Sequence, residues 1–323
     1  MKHLLRRIGF YLVALWAAIT INFIIPRLAP GDPTGALMAR FQGRMTPQTI
    51  HALRLQFGIT NDPLWVQYGR YLANLLHGDL GTSFTYFPTP VSTVLAQEVP
   101  WTLALVGTAL LISFVLGTLL GVLVAWKRGS LLDSILPPFL TFFSAIPYFW
   151  LALVALYILA YLLNWFPLNG GYDTSTTEGL NLDFIGSAIY HGLLPALTIV
   201  LASIAGWMLG MRNAMVTTLT EDYVVLAEAK GLSEVRIMFA YAARNAILPN
   251  VTGFALSLGF VVGGALLTEI VFSYPGIGYA LLQAALNSDY PLMQGIFLMI
   301  ALAVLGANFI ADLVYVLLDP RVR

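Results

Sequence analysis

Few side chains capable of acid–base or nucleophilic chemistry fall inside the long apolar stretches of this 323-residue sequence. Glu269, Asp312 and His191 come closest, but each lies near the end of such a stretch. We expect the two carboxylates to reach an aqueous interface there and the histidine to be structural. The sequence has no cysteine, which excludes thiol catalysis, disulfides and cysteine metal sites. It has no Gly-x-x-x-x-Gly-Lys-Ser/Thr phosphate loop either, so we expect this chain to bind no cofactor and hydrolyse no ATP.

This distribution disfavours two classes of function. An ion- or proton-coupled secondary transporter needs titratable groups at membrane depth. A membrane enzyme, such as an intramembrane protease or a lipid-modifying enzyme, needs a polar catalytic set there. The sequence contains neither a His/Asp/Ser set nor a metal-ligand cluster. If the protein moves a solute, the energy must therefore come from outside the membrane.

The main polar feature is a charged, amphipathic segment at residues 222–250, between two long apolar runs. Thr220 is placed to cap a first helix, and Gly231 is placed to end it with a positive φ. Ser233 can cap a second helix that runs to Leu248, and Pro249 is expected to stop it. The pattern predicts two helices joined at a glycine along one membrane face. An ordinary amphipathic interfacial loop would have the same composition.

Composition places these residues in a membrane protein. The chain is 59% hydrophobic and 10% charged, with a mean hydropathy of +0.80. Soluble domains are nearer a quarter charged, so too few charges remain to cover a soluble surface of this size. The net charge of zero argues against a nucleic-acid partner bound through its phosphates. We expect an all-α polytopic membrane protein in contact with lipid.

Six uncharged runs have about the 20 residues that a bilayer core of ~30 Å requires. They are residues 8–26, 99–126, 134–163, 184–211, 245–268 and 290–311. A further apolar stretch at residues 270–288 contains the turn-forming cluster SYPGIG, which predicts a re-entrant or surface loop. The first run is long enough to be a retained transmembrane helix rather than a cleaved signal peptide.

Lys and Arg placement predicts the orientation. Most of these residues fall in segments that would be cytoplasmic if both termini are cytoplasmic, and residues 164–183 and 273–289 contain none. We divide the chain into a first transmembrane helix (1–28), an extracytoplasmic helical segment (29–94) and a transmembrane domain (95–318) whose cytoplasmic helices span 220–248. Within 29–94, Thr46-Pro47 and Asp62-Pro63 indicate helix starts, and the GDLG sequence at 78–81 indicates an end.

Seven short motifs in register resemble those of bacterial ABC importer permeases, in particular the dipeptide/oligopeptide (and nickel) branch. The strongest is EDYVVLAEAKGL at 221–232 followed by RNAILP at 244–249. The others are LLRR at 4–7 with APGDP at 29–33, HGDLGTS at 77–83, IPYFW at 146–150, FSYPGIG at 272–278, SDYP at 288–291 and LLDPR at 317–321. Together they cover essentially the whole chain.

This resemblance implies a type I ABC importer permease fold in the bacterial inner (plasma) membrane. It implies a second homologous permease as heterodimer partner, two ABC ATPases that bind ATP and Mg, and an extracytoplasmic solute-binding protein. The substrates of the family include di- and oligopeptides, nickel chelates, glutathione and some oligosaccharides, and a peptide importer is the expectation here.

The resemblance also assigns roles to residues. The expected ATPase-coupling residues are Asp222, Tyr223, Ala227, Glu228, Ala229, Lys230, Gly231, Leu232 and Arg236, with Ala227 and Ala229 giving the partner a shallow surface. The loop expected to face the binding protein contains Tyr274, Pro275, Gly276, Ile277, Gly278 and Asp289. The general importer motif has Glu-Ala-Ala three residues before its glycine, whereas this chain has Val225, Leu226 and Ala227. Glu228, Lys230 and Arg236 are therefore alternative candidates for the key polar contact to the ATPase.

Overall fold

A computed structural model describes residues 2–28, 62–261 and 266–318, and these residues are mostly helical. In the described ranges the only strand-like pairing is an isolated bridge between Thr82 and Pro90, which agrees with the predicted all-α class. The helices are α1 (Lys2–Leu28), α2 (Leu64–Leu76), α3 (Val91–Trp126), α4 (Leu131–Ala145), α5 (Tyr148–Ala155), α6 (Leu182–Thr218), α7 (Asp222–Ala229), α8 (Glu234–Arg236), α9 (Arg244–Ala246), α10 (Leu248–Val261), α11 (Leu266–Val271), α12 (Ile277–Leu286) and α13 (Tyr290–Leu318). Two π-helical segments, Leu156–Leu162 and Ile237–Ala243, follow α5 and α8.

Three helices in the described ranges are long and apolar enough to cross a membrane: α3, α6 and the Tyr290–Phe309 part of α13. Helix α4 and the helical segment Tyr148–Leu162 form a fourth candidate, bent by 94° at the break between them. By length and composition the described residues thus contain three or four candidate spans, and the predicted number of six stays a prediction.

The third predicted run, 134–163, is bent because of Pro147. A proline disfavours helical conformation in the residue before it, and Ile146 is extended, with φ −79° and ψ 130°. Helix α5 then begins immediately after Pro147. In the fifth run, 245–268, α10 ends at Val261 and α11 begins at Leu266, with residues 262–265 outside the described ranges.

Helices α3 and α6 form the centre of the molecule, and glycines let them approach closely. A Cβ added to Gly117 would lie 2.7 Å from Trp207 Cβ, and one added to Gly121 would lie 2.5 Å from the Met208 carbonyl oxygen. Small residues favour this kind of close helix packing in membranes. These two glycines therefore act as small packing surfaces between α3 and α6.

Two apolar clusters define opposite ends of this helix pair. At the end where α3 and α6 finish, Val122 and Met211 pack against residues of α7 to α9. We call it the α7 end. At the start of α3, Val91 and Val94 pack against α12 and the first turns of α13. We call it the α12 end. The buried central core, which includes Ala109 and Met208, lies between them.

The segment 270–288 is only partly irregular. A turn covers residues 272–276, as its composition predicts, but Ile277–Leu286 forms α12. Ile277, Ala280 and Ala284 are buried at helical spacing, so this apolar face forms a helix rather than the loop predicted.

Outside the membrane runs, the helix start at Asp62-Pro63 is confirmed, because α2 begins at Leu64. Its predicted end is confirmed by Gly78, which has φ +73°. The helix start expected at Thr46-Pro47 lies outside the described residues.

Candidate functional site

The α7 end contains the candidate site. Helix α7 begins after Glu221, whose backbone is extended. Asp222 lies in the first turn, where its negative charge interacts favourably with the positive end of the helix dipole. The predicted cap, Thr220, is wrong: its hydroxyl donates to the Thr217 carbonyl at 2.8 Å instead. Helix α6 continues well past residue 211, to Thr218, and carries this segment away from the centre of the molecule.

The glycine turn has the predicted geometry. Gly231 has φ +71°, a left-handed conformation that favours glycine. Its N–H donates to the Glu228 carbonyl at 2.8 Å, and the Leu232 N–H donates to the Ala227 carbonyl at 3.3 Å. These two bonds close the C-terminus of α7, and the chain leaves it in a new direction.

The second half of the segment is less regular than predicted. Ser233 has the extended backbone of an N-cap residue, and α8 follows. The chain then passes through the π-helix Ile237–Ala243 and α9, and the helix breaks at Ile247. Pro249 does not stop it. Pro249 lies in the first turn of α10, where the absence of a backbone N–H carries little cost.

One face of the segment packs against the helix pair. Val224, Ala227 and Ile237 are buried in one apolar cluster with Met211 and Met215. Ala227 is only 2% exposed, so it packs within the chain and does not offer its surface to a partner. This corrects the expectation that Ala227 forms part of the docking surface.

The opposite face is open to solvent. Asp222, Tyr223, Glu228, Ala229, Lys230 and Arg236 are all exposed, as is Gly231, and Leu232 is half-buried. The sequence motif did not single out Val225 and Leu226, yet they are 53% and 55% exposed. Val224 and Ala227 are buried at i, i+3 spacing on one face of α7, which turns Val225 and Leu226 outward, whereas the uniformly apolar sequence of residues 224–227 does not mark this face. We call residues 222, 223, 225, 226 and 228–230 the α7 surface.

Polar bonds hold the α7 surface in position. Asn245 Nδ2 donates to Tyr223 Oη at 2.9 Å and joins α7 to α9. Nearby, Arg212 Nε donates to Asp133 Oδ1 at 2.8 Å, and Asp133 Oδ2 accepts the Gly129 N–H at 3.0 Å. The hydrogen bonds of Asp133 connect the start of α4 to α6 and stabilise the α7 end.

At the α12 end, Glu269 is fully buried, which corrects its predicted place at an interface. Thr102 Oγ1 donates to its Oε1 at 2.8 Å, and the Gly278 N–H donates to its Oε2 at 2.6 Å. A Cβ on Gly276 would lie 2.5 Å from the same Oε2. The Gly-Ile-Gly sequence therefore makes room for a buried carboxylate.

Asp289 is also fully buried. Its Oδ2 accepts bonds from Ser83 Oγ at 2.5 Å and from the Thr85 N–H at 2.8 Å, and its Oδ1 accepts the Leu292 N–H at 3.1 Å. Asp289 thus caps α13 and fixes the segment that precedes α3.

The residues expected to face a binding protein lie mostly inside the molecule. Tyr274, Gly276, Ile277, Gly278 and Asp289 are buried, and Pro275 is half-buried. The buried residues among them support the fold from inside and are not placed on a surface that a partner could contact.

Aromatic packing joins this turn to residues 163–181. The Trp101 ring stacks on Tyr172 at 5.8 Å and meets Tyr274 edge-on at 5.7 Å. The Gly170 N–H donates to the Phe272 carbonyl at 3.0 Å. Burial, with a smaller contribution from the Glu269 charge, raises the pKa of Tyr274 to about 12. Residues 163–181, most of which are exposed, thus pack over the buried turn.

Among the described residues, no group of three or more His, Asp or Glu side chains lies close enough together to hold a metal ion. His191, inside α6, has its Nδ1 2.9 Å from the Ser187 carbonyl oxygen, a local bond of the kind expected for a structural histidine. Asp312 is in a part of α13 whose side chains are not described.

Sequence comparison identifies the family. Residues 117–323 match the model of the binding-protein-dependent transport system inner membrane component family. The chain belongs to this family. It is therefore a multi-pass protein of the plasma membrane and a permease component of a transport system that includes a binding protein and an ATPase.

Three relatives illustrate the similarity over the full length. The chain is 34% identical to the oligopeptide transport system permease protein AppB of Bacillus subtilis, covering 99% of each chain. It is 38% identical to the di/tripeptide transport system permease protein DppB of Pseudomonas aeruginosa, covering 98% of this chain and 97% of the relative. It is 32% identical to the probable peptide ABC transporter permease protein y4tP of Sinorhizobium fredii, covering 99% of each.

Proposed function

We propose that this chain is the permease subunit of an ATP-driven importer of di- or oligopeptides and forms half of its translocation pore. The observation that carries the proposal is the full-length similarity to relatives named as peptide permeases. A peptide substrate is favoured over nickel chelates, glutathione or oligosaccharides because each of these three relatives is named for peptides.

The proposed topology has six spans, with both termini and the α7 end in the cytoplasm. Lys127, Arg128, Arg212, Lys230, Arg236 and Arg244 all lie at the α7 end. Residues 164–183, at the α12 end, contain no Lys or Arg. Short cytoplasmic loops of membrane proteins carry this excess of positive charge. We keep residues 1–28, 29–94 and 95–318 as the proposed divisions of the chain.

The α7 surface is the proposed docking site for one ATPase subunit. Its exposed acids and Lys230 offer polar contacts, while Val225 and Leu226 supply the apolar area that a stable interface buries. Gly231 is exposed and turns the chain at the edge of this surface. A displacement of α7 caused by the ATPase would therefore pass through this turn to α8 and then to α10. Glu228 and Lys230 are the proposed polar contacts, and Arg236 is a third candidate.

The remaining proposed partners come from the family to which the chain belongs. A second permease completes the pore as a heterodimer, and two ATPase subunits bind ATP and Mg. This chain is proposed to be non-catalytic and to bind no cofactor of its own. At the α12 end, residues 272–289 act as a buried support, and the exposed residues 163–181 are the proposed contact for the solute-binding protein.

Uptake by living cells tests the proposal. A strain from which this chain is deleted should lose uptake of radiolabelled di- and tripeptides, and the restored gene should return it. Uptake of nickel, glutathione and an oligosaccharide, measured in the same strains, should not change. Normal peptide uptake in the deletion strain, with loss of one of the other three substrates, would show that the substrate assignment is wrong.

A further inference from the structure

Helix α2 (Leu64–Leu76) has an apolar side that the rest of the described chain leaves uncovered. Trp65 and Leu76 are 77% and 88% exposed, and Leu64 at its start is 65% exposed. We propose that α2 is an interfacial helix: it lies in the boundary between lipid headgroups and acyl chains at the α12 end, and Trp65 and Leu76 contact lipid.

Contacts with α1 fix where α2 lies. Tyr68 Oη is 2.7 Å from Thr20 Oγ1, and Asn22 Nδ2 donates to Tyr71 Oη at 3.3 Å. The Phe23 ring packs against both tyrosines, with centroid distances of 5.1 and 5.5 Å. Two successive turns of α2 are therefore held against the side of α1.

The depth of these contacts places α2 at the membrane boundary. The apolar run of α1 ends near Pro26, and Asn22 lies four residues before it. At 1.5 Å per residue, Asn22 is about 6 Å inside the end of the run. Amphipathic helices that lie on membranes bury their apolar face by ~5–10 Å. A helix attached at Thr20 and Asn22 lies beside the membrane boundary rather than above it in water.

The chain after α2 holds its other end at a similar level. Gly81 packs against Pro291, with 3.6 Å between the Pro291 Cβ and the position of a Cβ on Gly81. Asp289 binds Ser83, as described above, and both contacts are at the start of α13, where Asp289 is the residue before the helix and Pro291 is its second residue. Helix α2 is thus attached near the outer ends of α1 and α13, which prevents it from entering the hydrocarbon core.

The order of residues around α2 fits this position. Tyr68 and Tyr71 face α1. Trp65 and Leu76, eleven residues apart and so about three turns along, share the neighbouring arc.

Gln67, Arg70 and Asn74 form a polar arc, and Arg70 pairs with Asp62 at 2.6 Å. Tryptophan is enriched at the membrane–water interface because its ring is apolar and its N–H is polar. Of the possible occupants of the exposed arc, lipid is the one whose chemistry and depth match it.

The test uses the natural absence of cysteine from the full chain. Single cysteines replace Trp65 or Leu76 on the exposed arc and Asn74 on the polar arc, each carries a nitroxide label, and each variant is reconstituted in liposomes. A high collision rate of the nitroxide with oxygen shows that the label is in lipid. A high collision rate with a water-soluble nickel complex shows that the label is in water. Val13→Cys, in the apolar run of α1, is the lipid reference, and Leu180→Cys, in residues 163–181, is the water reference.

We expect labels at 65 and 76 to collide with oxygen several-fold more than the Leu180→Cys reference does, though less than the deeper Val13→Cys reference, and to collide several-fold less with nickel than the label at 74. Strong nickel collision at 65 and 76 would place the arc in water, and weak collision with both reagents would place it under protein. Either result overturns the proposal. Using two positions on the arc guards against a Trp65→Cys variant that fails to fold.

The inference rests on the membrane topology of the proposed function, but the two can fail separately. If Val13→Cys reports lipid while positions 65 and 76 report water, the topology stands and the interfacial helix is wrong. If Val13→Cys itself reports water, the proposed first span is wrong.

Discussion

Two pairs of carboxylates, one pair at each end of the molecule, are held in opposite ways. At the α7 end, Asp222 and Glu228 are exposed on one short helix, α7, whose other face is apolar. At the α12 end, Glu269 and Asp289 are fully buried and accept bonds from backbone N–H groups and hydroxyls. Buried polar groups of this kind specify a local structure, because leaving their partners unsatisfied is costly. Exposed acids contribute little to stability and remain available to a partner.

The comparison shows that a family motif can mark either kind of residue. The FSYPGIG and SDYP motifs suggest a surface loop, but their glycines and aspartate support the fold from inside. The EDYVVLAEAKGL motif contains both kinds, because Ala227 is buried while Glu228 and Lys230 are exposed. Geometry, rather than the motif alone, decides which residues can contact a partner.

The largest effect expected is from Asp289→Ala. The substitution leaves the Ser83 hydroxyl and the Thr85 and Leu292 N–H groups without their acceptor, and each such buried donor costs about 1–3 kcal/mol. We expect the free energy of unfolding to fall by about 3 kcal/mol or more, seen as a lower thermal midpoint of the purified chain in detergent.

Asp222→Ala is the matched control at the other end. It removes an exposed carboxylate from the first turn of α7, where the dipole interaction contributes about 0.3–1 kcal/mol. We expect a thermal midpoint close to that of the wild type. If the two substitutions lower the midpoint equally, the contrast between the two ends is wrong.

A smaller loss of stability, with a larger functional effect, is expected from Gly231→Ala. Gly231 and Gly129 have φ +71° and +80°, both lie at the α7 end, and among the described residues both have room for a Cβ. Alanine at either position should cost about 1 kcal/mol, because a left-handed backbone strains an L-residue. Only Gly231 joins α7 to α8, so only its variant should lower transport several-fold in the assembled transporter.

Measuring transport and ATP hydrolysis together sharpens this comparison. Gly231→Pro should abolish coupling while the chain still inserts, since proline fixes φ near −65°. Normal transport by that variant, or equal loss from the two alanine variants, would remove Gly231 from the coupling account.

Local chemistry made several features predictable from the sequence. Gly231, the start of α2 after Pro63 and the all-helical class follow from backbone restrictions and apolar spacing. The caps were harder, because a serine or threonine before a helix can bond elsewhere, as Thr220 does with Thr217. The burial of Glu269, Asp289 and Ala227 depends on contacts between residues far apart in sequence, and the bend before Pro147, although local in cause, lies inside one continuous apolar run. Apolar run length alone could not reveal them.

The central claim is that the α7 surface docks on an ATPase, and cysteine protection tests it most directly. Leu226 or Glu228 is replaced by cysteine in the naturally cysteine-free chain, with Leu180→Cys as the control at the α12 end. Each variant is treated with a fluorescent maleimide, first as the chain alone and then in the complex with its ATPase subunits. The account predicts that the ATPases slow labelling at 226 and 228 many-fold and leave position 180 unchanged. Equal labelling of 226 and 228 with and without the ATPases would contradict it.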